Sequence, residues 1–236
     1  QAGPCTYRIA SENTVFAMPE TAIGFFPDVG SAYFLNRCPG GAGRYLGLTG
    51  NSVGAADMFH CGLATHYVPS AGHHGCIDTL IAALQDDRES IEDVLAAFHS
   101  TPDTPVILED KRKLLDCCFT GSDHIDDIIK ALRESGDDWA VRQADILSAR
   151  SPTSLKVTLE HLRRTENMDF DAVTAQDFTL AGHFMKGHDF YEGVRAVLID
   201  KDKEPQWEPA TLDGVAPGVV EHYFTSDGVS LDEIAA

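Results

Sequence analysis

Two carboxylates in an apolar segment are the residues of this chain best suited to chemistry. Glu20 and Asp28 lie in the segment FAMPETAIGFFPDVG, residues 16–30. A carboxylate in apolar surroundings loses hydration, which raises its pKa and lets it act as an acid or a base near neutral pH. Gly24 and Pro27 make a continuous helix between the two carboxylates unfavourable. A folded loop would therefore have to bring them together.

The same two residues also fit a purely structural role. Glu20 could be an acidic residue in the first turn of a helix, where its negative charge would interact favourably with the helix dipole. Asp28 could cap a helix that begins near Ser31. A pair of carboxylates is a weak signal when taken alone, so the spacing leaves both interpretations open.

The charge and composition of the chain exclude some partners. Its 236 residues carry a formal net charge of −19, and such a surface repels the polyanionic backbone of nucleic acid. No apolar run approaches the roughly 18 residues that a membrane span needs. We therefore expect neither nucleic acid nor a membrane as a partner.

Cysteine and histidine spacing predicts no metal centre. The six cysteines form no C-x-x-C pair, and the ten histidines form no H-x-x-x-H pair. The cysteines also lack the pattern of a secreted disulfide framework. A reducing intracellular compartment is the simplest interpretation.

The order of predicted elements is an α/β front followed by a helical back. Two short strands joined by a turn at Ser11–Asn13 are predicted within Thr6–Ala17, and a third strand within Leu63–Val68. Helices are predicted at Ser31–Arg37, Gly41–Leu48, Val53–His60, Cys76–Gln85, Ser90–His99, Val106–Phe119, Ile125–Ser135, Trp139–Arg150, Pro152–Arg164, Phe170–Lys186 and Phe190–Ile199. Ser52 and Ser151 are suited to cap the third and the ninth of these helices.

The hydrophobic periodicity changes near Pro69. Alternating segments precede this point and segments of helical period follow it. We therefore expect strands only before Pro69 and an almost wholly helical chain after it.

Three sequence blocks carry a resemblance to a known family. The segment FAMPETAIGFFPDVG resembles the active-site loop of 3-hydroxyisobutyryl-CoA hydrolases of the crotonase superfamily, and YFLNRCPGGAGRYLGLTGNSVGAADMFHCGLATHYV continues the likeness. SPTSLKVTL and MKGHDFYEGVRAVLIDKDKEPQWEP, toward the end, are similar to later blocks of the same family. The order and spacing of the blocks agree with those of the family.

The resemblance implies the crotonase fold, a ClpP-like spiral of ββα units. Residues 1–68 would be the C-terminal part of that α/β core, which lacks its N-terminal units here, and residues 69–236 a helical C-terminal region that includes assembly helices. The resemblance further implies homotrimers or homohexamers and a place in the mitochondrial matrix, or otherwise in the cytoplasm.

The resemblance also implies an activity and the residues that perform it. The activity is hydrolysis of the thioester of 3-hydroxyisobutyryl-CoA in valine breakdown, with an acyl-CoA substrate and no cofactor, because CoA is part of the substrate. Glu20 and Asp28 match the family's catalytic acidic residues. Substrate binding is expected from the same two residues together with Gly24 and Phe25.

Two other functions stay open. Enoyl-CoA hydratases and isomerases resemble this loop as far as Glu20 but usually have glycine at the position of Asp28. A non-catalytic crotonase-like subunit that acts through assembly is the third alternative. The chain departs from the family pattern at Ser31-Ala32, where Gly-Gly is usual, and at Asn36, where Pro is usual.

Residues near the end of the chain have a catalytic and a structural interpretation. His188 and Asp189 could form a relay with Glu20, and Lys201 or Lys203 could meet CoA phosphates. We favour the structural interpretation, in which Asp189 caps a helix and the lysines are solvated.

A first prediction concerns the 236-residue chain on its own. The family takes its oxyanion donors from two Gly-rich segments that match positions before Gln1, and loss of one such donor costs about 100- to 1000-fold in rate. We therefore expect the purified chain to hydrolyse 3-hydroxyisobutyryl-CoA no faster than background in a thiol-release assay. Adding the preceding segment, in cis or as a separate chain, should restore activity. Robust turnover by the single chain would show that the oxyanion donors have been assigned to the wrong segments.

Overall fold

The structure, a computed structural model, describes residues 5–86 and 90–226 and divides into two compact units. The first unit joins the chain up to Phe16 with Ser52–Asp110, and the second joins Ala17–Asn51 with the chain from Lys111 onward. The three unit boundaries fall after residues 16, 51 and 110, and none of them coincides with residue 68. The assignment of residues 1–68 to the family's core and of residues 69–236 to its helical region stays a prediction.

Four two-residue strands lie in the first unit: β1 (Ile9–Ala10), β2 (Val15–Phe16), β3 (Val53–Gly54) and β4 (His66–Tyr67). β1 pairs in parallel with β4, with Ile9 opposite His66, and β2 pairs antiparallel with β3. No strand follows β4 among the described residues. The expected confinement of strands to the region before Pro69 is confirmed there.

Helices account for most of the remaining described chain. They are α1 (Ser31–Leu35), α2 (Ala42–Thr49), α3 (Ala55–His60), α4 (His73–Asp86), α5 (Ile91–Phe98), α6 (Ile107–Asp110), α7 (Arg112–Phe119), α8 (Ile125–Glu134), α9 (Asp138–Ser148), α10 (Pro152–Thr165), α11 (Phe170–Phe184), α12 (Asp189–Val194) and α13 (Pro217–Tyr223). Ser151 caps α10 as predicted, because its side chain accepts a hydrogen bond from the Ser154 N–H.

Two helix predictions need correction. Val53 does not begin a helix capped by Ser52, because strand β3 forms there first and Gly54 precedes α3. The helix expected over Val106–Phe119 is divided at Lys111 into α6 and α7. Within the first unit the Leu108 N–H donates to Asp57, whereas within the second unit Lys111 pairs with Asp137, so the two halves are held by different units.

The core of the second unit lies directly beneath the segment that carries Glu20 and Asp28. Phe25 and Phe26 of that segment pack with Val157 of α10 and with Leu180 and Phe184 of α11. The ring centroids of Phe26 and Phe184 are 5.4 Å apart in a stacked arrangement. The two adjacent phenylalanines therefore fasten the segment to the C-terminal helices by apolar burial.

The turn that carries Glu20 approaches α12 closely enough to exclude a side chain. This 3₁₀ turn spans Glu20–Ile23 and ends at Gly24. A Cβ on Gly193 of α12 would lie 2.3 Å from the Ile23 carbonyl carbon, and a Cβ on Gly24 would lie 2.2 Å from the backbone oxygen of Asp189. Only glycine at both positions permits this approach of two backbones.

A second prediction follows from this close approach. Gly193→Ala should lower the free energy of unfolding by about 1–3 kcal/mol, because a new methyl group must displace backbone atoms rather than a flexible side chain. Gly182→Ala is the matched control, since this exposed helical glycine of α11 has open space for a Cβ. The control should gain about 0.5–1 kcal/mol from helix propensity. Urea unfolding measures both, and equal stabilisation by the two substitutions would contradict the close approach.

Candidate active site

Glu20 begins the 3₁₀ turn Glu20–Ile23, so its carboxylate is presented by a short, well-anchored element. Its backbone oxygen accepts hydrogen bonds from the N–H groups of Gly24 and Phe25, the latter at 3.0 Å. The buried hydroxyl of Thr21 donates to the Leu48 carbonyl at 3.0 Å. The turn is thus fixed both within itself and to helix α2.

The Glu20 carboxylate is half-buried, and its oxygen Oε2 is fully buried without a hydrogen-bond partner among the described residues. Burial raises the pKa of Glu20 from 4.5 to about 7, and the charge of Asp28 adds to the increase. A buried carboxylate oxygen without a partner is costly. Such an atom is typical of a site where a substrate or a water molecule completes the hydrogen bonding.

Asp28 is half-buried and electrostatically coupled to Glu20. Burial raises the pKa of Asp28, and the neighbouring charge of Asp177 raises it further. Asp28 does not act as the cap of α1, because the N-cap position belongs to Gly30 and no side chain caps the helix. The interpretation of Asp28 as a helix cap is therefore wrong, and its carboxylate is available for chemistry.

The backbone after Asp28 adopts a strained conformation. Val29 has φ +56° and Gly30 has φ +75°, two successive residues in the left-handed region. A β-branched residue is a rare outlier there, and such strain persists where the surrounding structure enforces it, often at functional sites. The Val29 side chain is 46% exposed, so core packing does not explain the conformation.

Asp177 of α11 holds this strained turn, a role that no local sequence pattern indicated. Its Oδ2 accepts a hydrogen bond from the Gly30 N–H at 2.7 Å, across 147 residues of sequence. Its Oδ1 lies 2.9 Å from Nε2 of His161, within ion-pair distance but without hydrogen-bond alignment. Asp177 is one of several polar residues in α11, and nothing in the helix sequence distinguishes it from the others. Only the fold shows that it faces the turn.

Gly24 and Phe25, the other two predicted substrate-binding residues, are both buried. The Phe25 ring packs against Phe26, Phe184 and Phe190 at centroid distances of 4.8, 5.3 and 5.0 Å. The backbone N–H groups of both residues are used within the turn. The structure thus gives the two residues a supporting role, and their contact with substrate stays a prediction.

The departures from the family pattern have structural partners here. The Ser31 hydroxyl donates to the Pro27 carbonyl at 2.8 Å, within the loop itself. The Asn36 amide donates to the Leu162 carbonyl at 2.9 Å and lies 3.1 Å from the Thr165 hydroxyl. Both residues tie the loop and helix α1 in place.

Asp189 has a structural role that differs from the predicted cap. It is the first residue of α12, which follows His188 as N-cap. Its buried carboxylate accepts hydrogen bonds from the Ser151 hydroxyl at 2.6 Å and from the Glu208 N–H at 2.8 Å. Asp189 therefore joins the segment around Glu208 to the start of α10.

Residues 5–86 and 90–226 contain neither a metal cluster nor a membrane-spanning helix. No cluster of three or more histidine, cysteine or acidic side chains is arranged to hold a metal ion in that part of the chain. None of its helices combines the length and the apolar character of a membrane span.

Comparisons with known proteins agree with the geometry. The model of the enoyl-CoA hydratase/isomerase family matches residues 2–224. The mitochondrial 3-hydroxyisobutyryl-CoA hydrolases of Xenopus tropicalis and Homo sapiens are 42% and 40% identical over 228 residues each. These matches cover 95% of this chain but 59% of each relative, so the chain spans about three fifths of their length.

Solved structures show the same fold. A carnitinyl-CoA dehydratase from Mycobacterium thermoresistibile superposes with a TM-score of 0.86 at 36% identity, over 96% of this chain and 63% of that one. An enoyl-CoA hydratase from Rhodobacter sphaeroides gives a TM-score of 0.82 at 31% identity, over 94% and 63%. The expected crotonase fold is confirmed by these neighbours.

A third prediction concerns stability and pH. Because the pKa of Glu20 is higher in the folded state than the ordinary 4.5, folding favours the protonated form. The contribution of this group to stability is therefore greatest below pH 4.5 and is lost as pH rises to about 7. Above pH 7, Glu20→Gln should be more stable than the wild type by about 1–3 kcal/mol, the lower values reflecting partial solvent access.

Urea unfolding at several pH values measures this difference. The matched control is Glu134→Gln, which changes an exposed glutamate at the end of α8. The control should follow the wild type at every pH. If Glu20→Gln were less stable than the wild type above pH 7, the result would contradict the burial of an unpaired carboxylate.

Proposed function

We propose that this chain, which belongs to the enoyl-CoA hydratase/isomerase family, is the part of an acyl-CoA thioester hydrolase that carries its two reacting carboxylates. The observation that supports this most is the Glu20 carboxylate, with a pKa raised to about 7 and a buried oxygen that lacks a partner among the described residues. The similarity to relatives named 3-hydroxyisobutyryl-CoA hydrolase supports the reaction and the substrate. The proposed substrate is 3-hydroxyisobutyryl-CoA.

Glu20 would act on the thioester carbonyl. In one route its carboxylate attacks the carbonyl carbon, CoA departs as thiolate and accepts a proton, and water then cleaves the acyl–Glu20 anhydride. In the other route Glu20 removes a proton from a water molecule that attacks directly. Both routes need the ionised carboxylate, and both give the free 3-hydroxy acid and CoA.

Asp28 would handle the substrate's 3-hydroxyl group or the transferred proton. Its raised pKa and its coupling to Glu20 keep the two carboxylates from being equivalent. Two interacting carboxylates with different surroundings are typical of a pair that divides the roles of acid and base. Asp28 is also the residue that would favour hydrolysis over the hydratase chemistry of related enzymes.

Several properties of the whole protein complete the proposal. The developing oxyanion would be stabilised by backbone donors from the part of the relatives' length that this chain does not span. The chemistry requires no cofactor besides the CoA that the substrate carries. We also propose a trimeric or hexameric assembly, and a mitochondrial location that rests on relatives named mitochondrial.

A second candidate function is water addition to an enoyl-CoA. It is favoured by structural neighbours that are named as a dehydratase and a hydratase. Both functions would use Glu20, so the identity of the reaction depends on the product and on Asp28.

A fourth prediction tests this proposal on the full-length protein. Glu20→Gln should lower kcat far more than it changes KM, by about 100-fold or more, because the charge acts on the reacting carbonyl and not on CoA binding. Asp28→Gly should also reduce hydrolysis and should expose weak addition of water to an enoyl-CoA. In the wild type, kcat/KM should rise with pH through about 7, as Glu20 ionises.

The measurements are release of free CoA from 3-hydroxyisobutyryl-CoA and loss of the enoyl absorbance. Glu134→Gln, the exposed control, should match the wild type in both assays. Full hydrolase turnover in Glu20→Gln would contradict the assignment of Glu20 as the reacting carboxylate. Wild-type addition of water without thioester cleavage would favour the second candidate.

A further inference from the structure

We propose that Asp177 is a positioning residue of this site: its buried carboxylate, backed by His161, holds the Gly30 N–H and thereby fixes the turn that aims Asp28. This inference rests on the proposed function, because it assigns to Asp177 a part in the reaction of Glu20 and Asp28. Asp177 contacts the loop at the Gly30 N–H and lies against His161, so its action would pass through the loop.

The hydrogen bond between Asp177 and Gly30 is a strong one by its type and setting. Asp177 lies in the middle of α11 and is 6% exposed. Its Oδ2 accepts from the Gly30 N–H at 2.7 Å. A hydrogen bond to a buried carboxylate is shorter and stronger than a neutral one, so this contact restrains the Gly30 peptide more than a backbone contact would.

The turn after Asp28 needs such a restraint. Val29 and Gly30 both have positive φ, a strained conformation for a β-branched residue such as valine. The Phe170 ring, also on α11, occupies the space where a Cβ on Gly30 would lie, at 2.2 Å from the nearest ring atom. Phe170 and Asp177 are seven residues apart on one helix face, so α11 contacts Gly30 by packing and by a hydrogen bond together.

His161 fixes Asp177 from the opposite side. Its Nε2 lies 2.9 Å from Asp177 Oδ1, and its Nδ1 lies 3.1 Å from Oε1 of Gln176. The ring is 1% exposed and meets the Phe26 ring edge-on at 5.6 Å. Even as an ion pair, this buried contact would contribute little net stability, because desolvation would offset the attraction. Its presence directly behind the catalytic loop is better explained by orientation of the Asp177 carboxylate.

Asp177 also affects the pKa of Asp28 through its charge, which distinguishes a positioning role from a purely structural one. The charged group that acts on Asp28 is Asp177 from α11, with His161 of α10 behind it, and Asp28 in turn raises the pKa of Glu20 in the 3₁₀ turn. The charge of Asp177 raises the pKa of Asp28. Removal of that charge should therefore lower the pKa of Asp28 even where the loop keeps its shape.

Variants of the full-length protein test these steps. Asp177→Ala leaves the Gly30 N–H without its acceptor, whereas Asp177→Asn keeps an oxygen that can accept from it and removes only the charge. The matched control is Asp171→Asn, an exposed aspartate in the first turn of the same helix. Measurements are amide hydrogen exchange of the Gly30 segment and the kinetics of thioester hydrolysis at several pH values.

We expect Asp177→Ala to speed exchange at Gly30 and to lower kcat about 10- to 100-fold, as for a displaced catalytic group. Asp177→Asn should regain most of kcat but shift the pH limb that belongs to Asp28 to lower pH. The double variant Asp28→Asn with Asp177→Ala should be within about threefold of Asp28→Asn, because one residue acts through the other. The control should match the wild type.

Two results would overturn the inference. One is unchanged Gly30 exchange together with wild-type kinetics in Asp177→Ala. The other is multiplication of the two losses in the double variant, which indicates independent effects on folding. If the wild-type protein hydrolyses no acyl-CoA thioester, the proposed function fails. The exchange of Gly30 then decides by itself whether Asp177 holds the turn.

Discussion

The backbone contact between the 3₁₀ turn of Glu20 and helix α12 is the constraint on which the rest of the site depends. Two glycines, Gly24 and Gly193, make it possible, and a side chain on either would meet backbone atoms. Through this contact a helix from the end of the chain determines where a carboxylate near its beginning lies. Segments near the two ends of the sequence thereby meet in a single support for Glu20.

Burial of two carboxylates follows from this support and defines what the site can do. Apolar packing of Phe25 and Phe26 on α10 and α11 places Glu20 and Asp28 in poorly solvated surroundings. Their pKa values rise for that reason, and the charge of Asp28 further opposes the ionisation of Glu20, as the charge of Asp177 opposes that of Asp28. The folded chain loses stability by keeping them there. The strained turn at Val29 is a further local cost, so stability is given up where reactivity requires it.

Much of this arrangement could be predicted from sequence, because Glu20 and Asp28 lie in a segment of unusual composition and the helices have strong periodicity. Local patterns failed where tertiary pairing intervened. Val53 lies in strand β3 because it pairs with β2, and the Asp189 carboxylate accepts a hydrogen bond from Ser151 and does not cap a helix. Asp177 and His161 carry no local signal at all, since their role arises only when α10 and α11 pack against the loop.

The claim that burial activates Glu20 is tested most directly by observing its carboxyl group. Full-length protein labelled with ¹³C at the glutamate carboxyl carbon can be titrated by NMR, with Glu20→Gln identifying the resonance. We predict a single Glu20 titration with a midpoint near 7, coupled to that of Asp28. A midpoint close to the ordinary value of 4.5 for a solvated glutamate would contradict the account, because the carboxylate would then be neither desolvated nor activated.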